Sequence, residues 1–312
     1  MTQQKNSSTQ QTLLWHDYET WGISPKFDKP SQFAGIRTDM DFNVIGDPDM
    51  FYCRLSDDYL PNAESAIVTQ ILPEVTQAEG LAEYEFSARI NQQFSQVNSC
   101  VVGYNSIRFD DEVSRNLFYR NFYDPYEREW KNGNSRWDII DVVRLTYALR
   151  PEGINWPLGD DEQPTFRLEK LSKANGIEHE AAHDAMSDVY ATIGLAKLIK
   201  EKQPQLFSYV FQHRDKREIA KLFDLKSLKP IFHISSKYPV SLGCSALVVP
   251  LFKHPKNNNG YVVFDLRQDP RILLDLPTDE IKRRLYTSSK DLKEGELRPG
   301  LKTIHINKCP IV

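Results

Sequence analysis

The 312 residues are 40% hydrophobic and 26% charged, the profile of a soluble globular chain long enough for about two domains. No apolar run approaches the roughly 20 residues of a membrane span. The four cysteines, Cys53, Cys100, Cys244 and Cys309, form no Cys-x-x-Cys pair, so neither a zinc site nor a disulfide framework is indicated, and reduced thiols in a cytoplasmic protein are expected. The formal charge of −4 conceals an imbalance: residues 1–200 hold 19 Lys+Arg against 31 Asp+Glu, and residues 201–312 hold 20 against 12. An acidic part suited to concentrating metal ions is joined to a basic part suited to phosphates, although charge that only solubilises two faces would look the same. Polar residues 1–12 lack the apolar core of a secretory signal and read as a disordered lead-in.

In chain order, Leu13-Leu14-Trp15 opens a buried strand leading into His16-Asp17-Tyr18-Glu19-Thr20. Residues two apart on a strand share a face, so Asp17 and Glu19 point the same way, at or just past the strand end. Carboxylates held so repel unless a cation lies between them, and such hard oxygen donors suit Mg²⁺ or Mn²⁺. With 43 acids in the chain, an Asp-x-Glu triplet also arises by chance. Residues 20–31 read as a loop, with strands expected over 32–38, 42–45 and 50–55 and a hairpin turn at 39–41. Short helices fill 61–80, with Pro73 at a helix start. Phe86, Ile90 and Phe94 give helical spacing, and residues 100–104 form a short apolar strand. Strands that come first and then alternate with helices indicate an α/β fold with a mixed sheet.

A second constellation, Gly103-Tyr104-Asn105 through Arg108-Phe109-Asp110-Asp111-Glu112, lies where a strand hands over to a helix, the place where α/β folds put ligands. Asp110 can point back at the sheet from there; helix capping and dipole complementation account for the same acids. Beyond it, Arg115, Phe118, Tyr119, Arg120, Phe122, Tyr123, Tyr126, Arg128 and Trp130 interleave cations with rings, as single-stranded nucleic acid requires, and about half of them are expected to be core. Residues 137–149 read as one helix with Arg144 on its polar face, 150–164 as a proline-rich loop and 166–174 as a short helix containing Arg167. The third constellation, His183-Asp184-Ala185-Met186-Ser187-Asp188, opens a helix to about residue 200. At 100° per residue, His183 and Asp188 would diverge by about 140° on one helix. They share a site only if His183 sits on the preceding loop.

Residues 201–312 change character. Short helices are expected over 204–212 and 216–224, strands over 231–234, 245–251, 261–266 and 301–306, and a helix over 279–285. The expected organisation is an α/β domain over 13–201 and a small β-rich domain over 202–312.

Asp17, Glu19, Asp110 and Asp188 with His183 are the parts needed for two-metal phosphodiester hydrolysis. In that chemistry two divalent ions about 3.5–4 Å apart hold the attacking and leaving oxygens, and a histidine of near-neutral pKa takes the proton of the attacking water. With these motifs in this order, the chain resembles the DEDD-type 3′→5′ exonucleases with a catalytic histidine, the bacterial exodeoxyribonuclease I family in particular. Four further segments carry the resemblance: Phe122-Tyr123-Asp124-Pro125-Tyr126, Ala148-Leu149-Arg150-Pro151-Glu152-Gly153-Ile154-Asn155-Trp156-Pro157, Lys173-Ala174-Asn175-Gly176-Ile177-Glu178-His179 and His305-Ile306-Asn307-Lys308-Cys309-Pro310.

The resemblance implies a ribonuclease-H-like mixed sheet with flanking helices, followed by an SH3-like β-rich domain. In the family a third, helical domain completes a C-shaped clamp on single-stranded DNA; these 312 residues are expected to lack it and to leave the SH3-like domain unfinished. By position in the motifs, Asp17, Glu19, Asp110 and Asp188 would bind two Mg²⁺ ions, with Mn²⁺ as a substitute, and His183 would activate water. Glu19 would also meet the 3′-terminal nucleotide, Arg167 the substrate, and Arg115, Tyr126, Trp130 and Arg144 the strand path. The implied activity is release of 5′-mononucleotides from single-stranded DNA, in DNA repair and recombination, by a cytoplasmic monomer. Arg150, Tyr209 and Lys229 would meet the acidic tail of a single-strand-DNA-binding protein. Two other readings stand beside it. One is an RNA-trimming or proofreading exonuclease of the same chemistry, against which the basic domain and the aromatic insert argue. The other is a non-catalytic single-stranded-DNA-binding module, against which the complete set of acids and histidine argues.

Overall fold

The computed structural model describes residues 10–178, 184–288 and 290–312. His183 therefore lies outside the described residues. The chain divides into two compact units, the first running to Phe211 and the second comprising Tyr147–Leu149 and Gln212–Val312. The division falls later than residue 201 because Phe207 and Phe211 set their rings edge-on to Trp137, at 5.1 and 5.0 Å, and so fasten their helix to the first unit.

The first unit is built on β1 (Thr12–Thr20) at the centre of a five-stranded mixed sheet of order β3-β2-β1-β4-β5. β2 (Pro30–Thr38) pairs antiparallel with β1, and β3 (Asp49–Tyr52) with β2. β4 (Ser99–Gly103) runs parallel to β1, and β5 (Ser135–Asp138) parallel to β4. Burial on both faces explains why β1 opens with a continuous apolar run. Leu14 and Tyr18 join Phe33, Phe86, Ile90, Phe94, Val113, Leu117 and Phe118 in one core, contributed in part by α3 (Glu83–Phe94), which follows α1 (Ala63–Thr69) and α2 (Pro73–Glu79), and by α4 (Asp110–Arg120). α7 (Ala185–Lys202) lies against β1 and β2. Asp17 and Glu19, out of phase with Leu14 and Tyr18, are therefore turned from that aromatic core.

Three local expectations are corrected. Residues 42–45 are not a strand: Phe42 is left-handed (φ 67°), and Asp39 takes up the backbone N–H groups of Asp41 and Asn43 in a wider turn. Only Val44 bridges back, to Thr38. Residues 137–149 are not one helix: Trp137 and Asp138 finish β5, and α5 (Ile139–Leu149) starts after Asp138, whose side chain caps it through Ile140 N. The helix expected over 216–224 ends at Ala220.

The second unit carries a four-stranded antiparallel sheet, β6 (Ile231–Ile234), β7 (Ser245–Lys253), β8 (Gly260–Asp265) and β9 (Leu301–His305), in that order. Phe223, Ala246, Val248, Tyr261, Val263 and Ile304 form its core. The four strands fall where alternation in the sequence puts them.

Candidate active site

β1 outlasts its parallel neighbour: the pairing with β4 ends at Trp15–Val102, so the next stretch of β1 has an open edge on that side. Asp110, the first residue of α4, fills it, its Oδ1 accepting the Tyr18 backbone N–H at 3.2 Å. On the face turned to α7, Asp17, Glu19 and Asp188 bring one carboxylate oxygen each to within 4.8 Å of one another. The start of α7 is set from two sides: Asp184 caps it through Ser187 N, at 3.1 Å, and Gln32 Oε1 accepts the Ala185 N–H at 3.3 Å. Gln32 is also the β2 partner of Glu19, so one residue ties α7 to the strand pair that presents the acids. Four of the five expected catalytic residues thus converge, three in mutual reach and Asp110 alongside; His183 falls outside the described residues.

The electrostatics are those of an uncompensated acid cluster. Burial, and then the charges of Asp110, Asp188 and Glu19, hold the Asp17 carboxyl well above its ordinary range. Burial followed by Asp188 and Asp110 pushes Glu19 up to about 9. Asp110 is pushed up to about 8, by burial first, against the Tyr18 N–H that favours its anion. Carboxylates that cannot all ionise together are relieved by a cation. An all-oxygen donor set fits a hard divalent ion. Among the described residues this is the one cluster of acids, histidines or cysteines with metal-ligand spacing.

Asp111, next in sequence, has the opposite surroundings. Its carboxylate is 1% exposed and meets Arg128 at 2.6 Å and Arg136 at 2.5 Å. Burial works to raise its pKa, but the two guanidinium groups outweigh it and hold the carboxyl far below the usual range. Arg136 also reaches Glu129, which in turn holds Arg115, itself paired with Glu112. Arg128 stacks 4.8 Å from the Phe94 ring centroid, and His16 beside it is pushed down to about 4 by burial and by Arg128.

The remaining expected residues are spread by burial. Of the interleaved aromatic and basic stretch, Phe118 and Arg128 are core, whereas Tyr119, Phe122, Tyr126 and Trp130 are exposed. Arg115 lies 5.1 Å from the Tyr126 ring centroid. Arg144 is enclosed, 2.5 Å from Asp141 and 6.0 Å from the Phe166 ring centroid; the polar face expected of it is an ion pair. Arg167 is exposed at the start of α6 (Leu168–Ala174), and the carbonyl before it accepts the Tyr104 hydroxyl at 2.5 Å. Arg150, Tyr209 and Lys229 are exposed.

Sequence reasoning missed Asp138. It is buried, and its carboxylate accepts backbone N–H groups from Asn105 at 2.8 Å, Ile107 at 3.2 Å and Ile140 at 3.0 Å. Burial, and then Asp141, push it up to about 7 against those three donors. An Asp ahead of a helical run is a capping signal, but only the first unit's sheet reveals its other two partners.

Comparison with known proteins places these features in a family. The family model "Exonuclease" matches residues 14–196, and "Exonuclease I SH3-like domain" matches residues 214–312. Exodeoxyribonuclease I of Escherichia coli strain K12 is 52% identical over 303 residues, covering 97% of this chain and 64% of the relative. Its counterparts in Haemophilus influenzae and in Buchnera aphidicola subsp. Acyrthosiphon pisum are 56% and 48% identical, covering 95% and 96% of this chain and 63% and 71% of theirs. The chain thus spans a little under two thirds of the first two relatives. E. coli exonuclease I solved in complex with a dA16 oligonucleotide superposes with a TM-score of 0.94 at 52% identity, over 97% of this chain and 65% of that one. The structure described as an ExoI/SSB-Ct complex gives 0.91 at 51% identity, again over 97% and 65%. With its mixed sheet, its acid cluster and its β-rich second unit, the chain belongs to the exodeoxyribonuclease I family of exonucleases.

Proposed function

We propose that this chain removes 5′-mononucleotides from the 3′ end of single-stranded DNA by metal-dependent phosphodiester hydrolysis, in the cytoplasm, as part of DNA repair and recombination. The observation that carries the reading is the convergence of Asp17, Glu19 and Asp188 within 4.8 Å, with Asp110 beside them, in a chain about half identical to exodeoxyribonucleases I. Asp17, Glu19, Asp110 and Asp188 hold two Mg²⁺ ions, for which Mn²⁺ substitutes. Bound there, the ions supply Lewis-acid stabilisation of the phosphoryl oxygens and a water of lowered pKa. Their carboxylate ligands offset the ions' charge and fix where the scissile phosphate rests. Glu19, largely buried, also limits the room for the 3′-terminal nucleotide. His183 takes the proton of the attacking water.

Arg167 holds the substrate backbone, and the exposed rings of Tyr126 and Trp130 stack its bases. Arg115 and Arg144, each held in place by acidic partners, lie along the strand path and add positive charge toward its phosphates. Arg150, Tyr209 and Lys229, each exposed, supply the positive charge and the ring that the acidic tail of a single-strand-DNA-binding protein would meet; a solved relative described as an SSB-Ct complex supports a partner of that kind.

The test is hydrolysis of a 3′-labelled single-stranded DNA beside its duplex and its RNA counterpart, with Mg²⁺ and with chelator. Metal-dependent mononucleotide release from the single-stranded DNA alone is expected. Equal cleavage of RNA would move the chain to the RNA-trimming reading, and binding without cleavage to a DNA-binding module.

A further inference from the structure

We propose that Asp138 is a positioning residue for the metal site: its carboxylate fixes the turn between β4 and α4 and thereby aims Asp110. The proposal rests on the metal reading of the acid cluster given above. Asp138 ends β5 in register with Gly103, the last residue of β4, so its side chain stands beside the chain as it leaves that strand. The turn that follows is not held by regular pairing. Asn105 is left-handed (φ 60°), residues 106–108 make one 3-10 turn, and Phe109 enters α4 at φ −126°, ψ −73°. Nor does α4 have a side-chain cap: Phe109 stands at the capping position and offers no acceptor.

What holds the turn ahead of α4 is Asp138. Its Oδ1 accepts from Asn105 N and its Oδ2 from Ile107 N, so one carboxylate fixes the backbone at two points between β4 and Asp110. Gly103 permits the close approach: a Cβ there would lie 2.6 Å from the Ser106 Cβ and 3.2 Å from the His16 carbonyl oxygen. The turn is thus pressed onto β1, one residue before the Asp17 backbone, and the next side chain it delivers to the site is Asp110, at Tyr18 N. By fixing backbone three to five residues ahead of Asp110, the carboxylate orients that ligand at one remove, where the outer hydrogen bonds around metal ligands do so directly. The third bond, to Ile140 N, is the ordinary cap of α5 and separates the two duties of the residue.

That separation supplies the test. Asp138→Ser keeps an oxygen where a helix cap needs one but is too short for Asn105 and Ile107. Mn²⁺ binding to the full chain, measured by calorimetry with no DNA present, should weaken about tenfold in Asp138→Ser. Asp110→Ala should weaken it at least as much, and the double variant should lose nothing beyond Asp110→Ala alone, because the two act through one ligand. Asp138→Asn, which keeps an acceptor for Asn105 and Ile140 and sets an amide NH₂ against Ile107 N–H, should fall between Asp138→Ser and wild type; it carries the test if the serine variant does not fold. Wild-type Mn²⁺ affinity in both single variants, or a loss that adds in full to that of Asp110→Ala, would overturn the proposal. A wild-type chain that bound no Mn²⁺ would instead overturn the metal reading on which it rests.

Discussion

Asp110 and Asp111 are adjacent in sequence, both buried and both in the first turn of α4, yet they have opposite electrostatic fates. Asp110 turns to the open edge of β1 and to other carboxylates, and its pKa rises to about 8. Asp111 turns to Arg128 and Arg136, and its pKa falls far below normal. A buried acid facing its own kind is a site in want of a cation, and a buried acid facing two guanidinium groups already has its cations. The first region is disposed for function at a cost in stability, and the second holds the fold on which the first stands.

Substitutions on either side should break this contrast in opposite directions. Replacing Asp17 with Asn should lower hydrolysis of single-stranded DNA about 10³-fold, the loss of about 4 kcal/mol of charge stabilisation in the transition state. In chelator the same variant should unfold at a higher denaturant concentration than wild type, because the cost of enclosing that carboxyl among other acids has gone. Asp111→Asn should do the reverse. It leaves two buried guanidinium groups short of charge and should cost about 3 kcal/mol, read from urea unfolding, with metal affinity in the surviving folded fraction near wild type. A stable Asp111→Asn, or an Asp17→Asn that lost stability instead of activity, would refute the division of labour.

Acid should sharpen the same comparison. A carboxyl whose folded pKa lies below its unfolded value of about 3.9 contributes stability above that value and loses it as pH falls. Asp111 is such a group, so the contribution it makes at pH 7 should fade below about pH 4. The urea midpoint of wild type should therefore drop more steeply between pH 5 and pH 3 than that of Asp111→Asn. Parallel profiles for the two proteins would show that Asp111 is ionised to the same extent folded and unfolded.

Much of the site was legible because its geometry is local. Asp17 and Glu19 share a face through the strand period of two, and β1 is long enough to keep it. Asp188 follows from the helix that begins at Ala185. What stayed hidden depends on partners far along the chain. Arg128 meets Asp111 across 17 residues and Arg136 meets it across 25, and nothing near Arg128 distinguishes it from the exposed aromatic and basic residues around it. Asp138 was absorbed into a helix because Trp137 and Ile139 flank it with apolar side chains that suit either period. Its grip on Asn105 spans 33 residues and exists only because β4 and β5 lie side by side. The second unit was read well for the converse reason: its strands alternate, and antiparallel neighbours in sequence are neighbours in the sheet.

The smallest expected effect concerns the surface that the ion network supports. Tyr126 and Trp130 are 55% and 65% exposed, and the segment between them is anything but loose: Glu129 holds Arg115 and Arg136, and Arg128 is buried against Asp111. The rings are thus mounted on a rigid base, which limits the entropy lost when bases stack on them. Stacking of this kind is worth about 1–3 kcal/mol per base, so Trp130→Ala should weaken binding of an oligo-dT by about tenfold. Because every base has a π-face, the loss should be similar for oligo-dA, and because the ring lies outside the acid cluster, Mn²⁺ affinity should not change. Fluorescence anisotropy on the two oligonucleotides, with calorimetry for the ion, reads both. A sequence-dependent loss would mean that Trp130 reads base edges, and an unchanged affinity would place the strand on another face of the first unit.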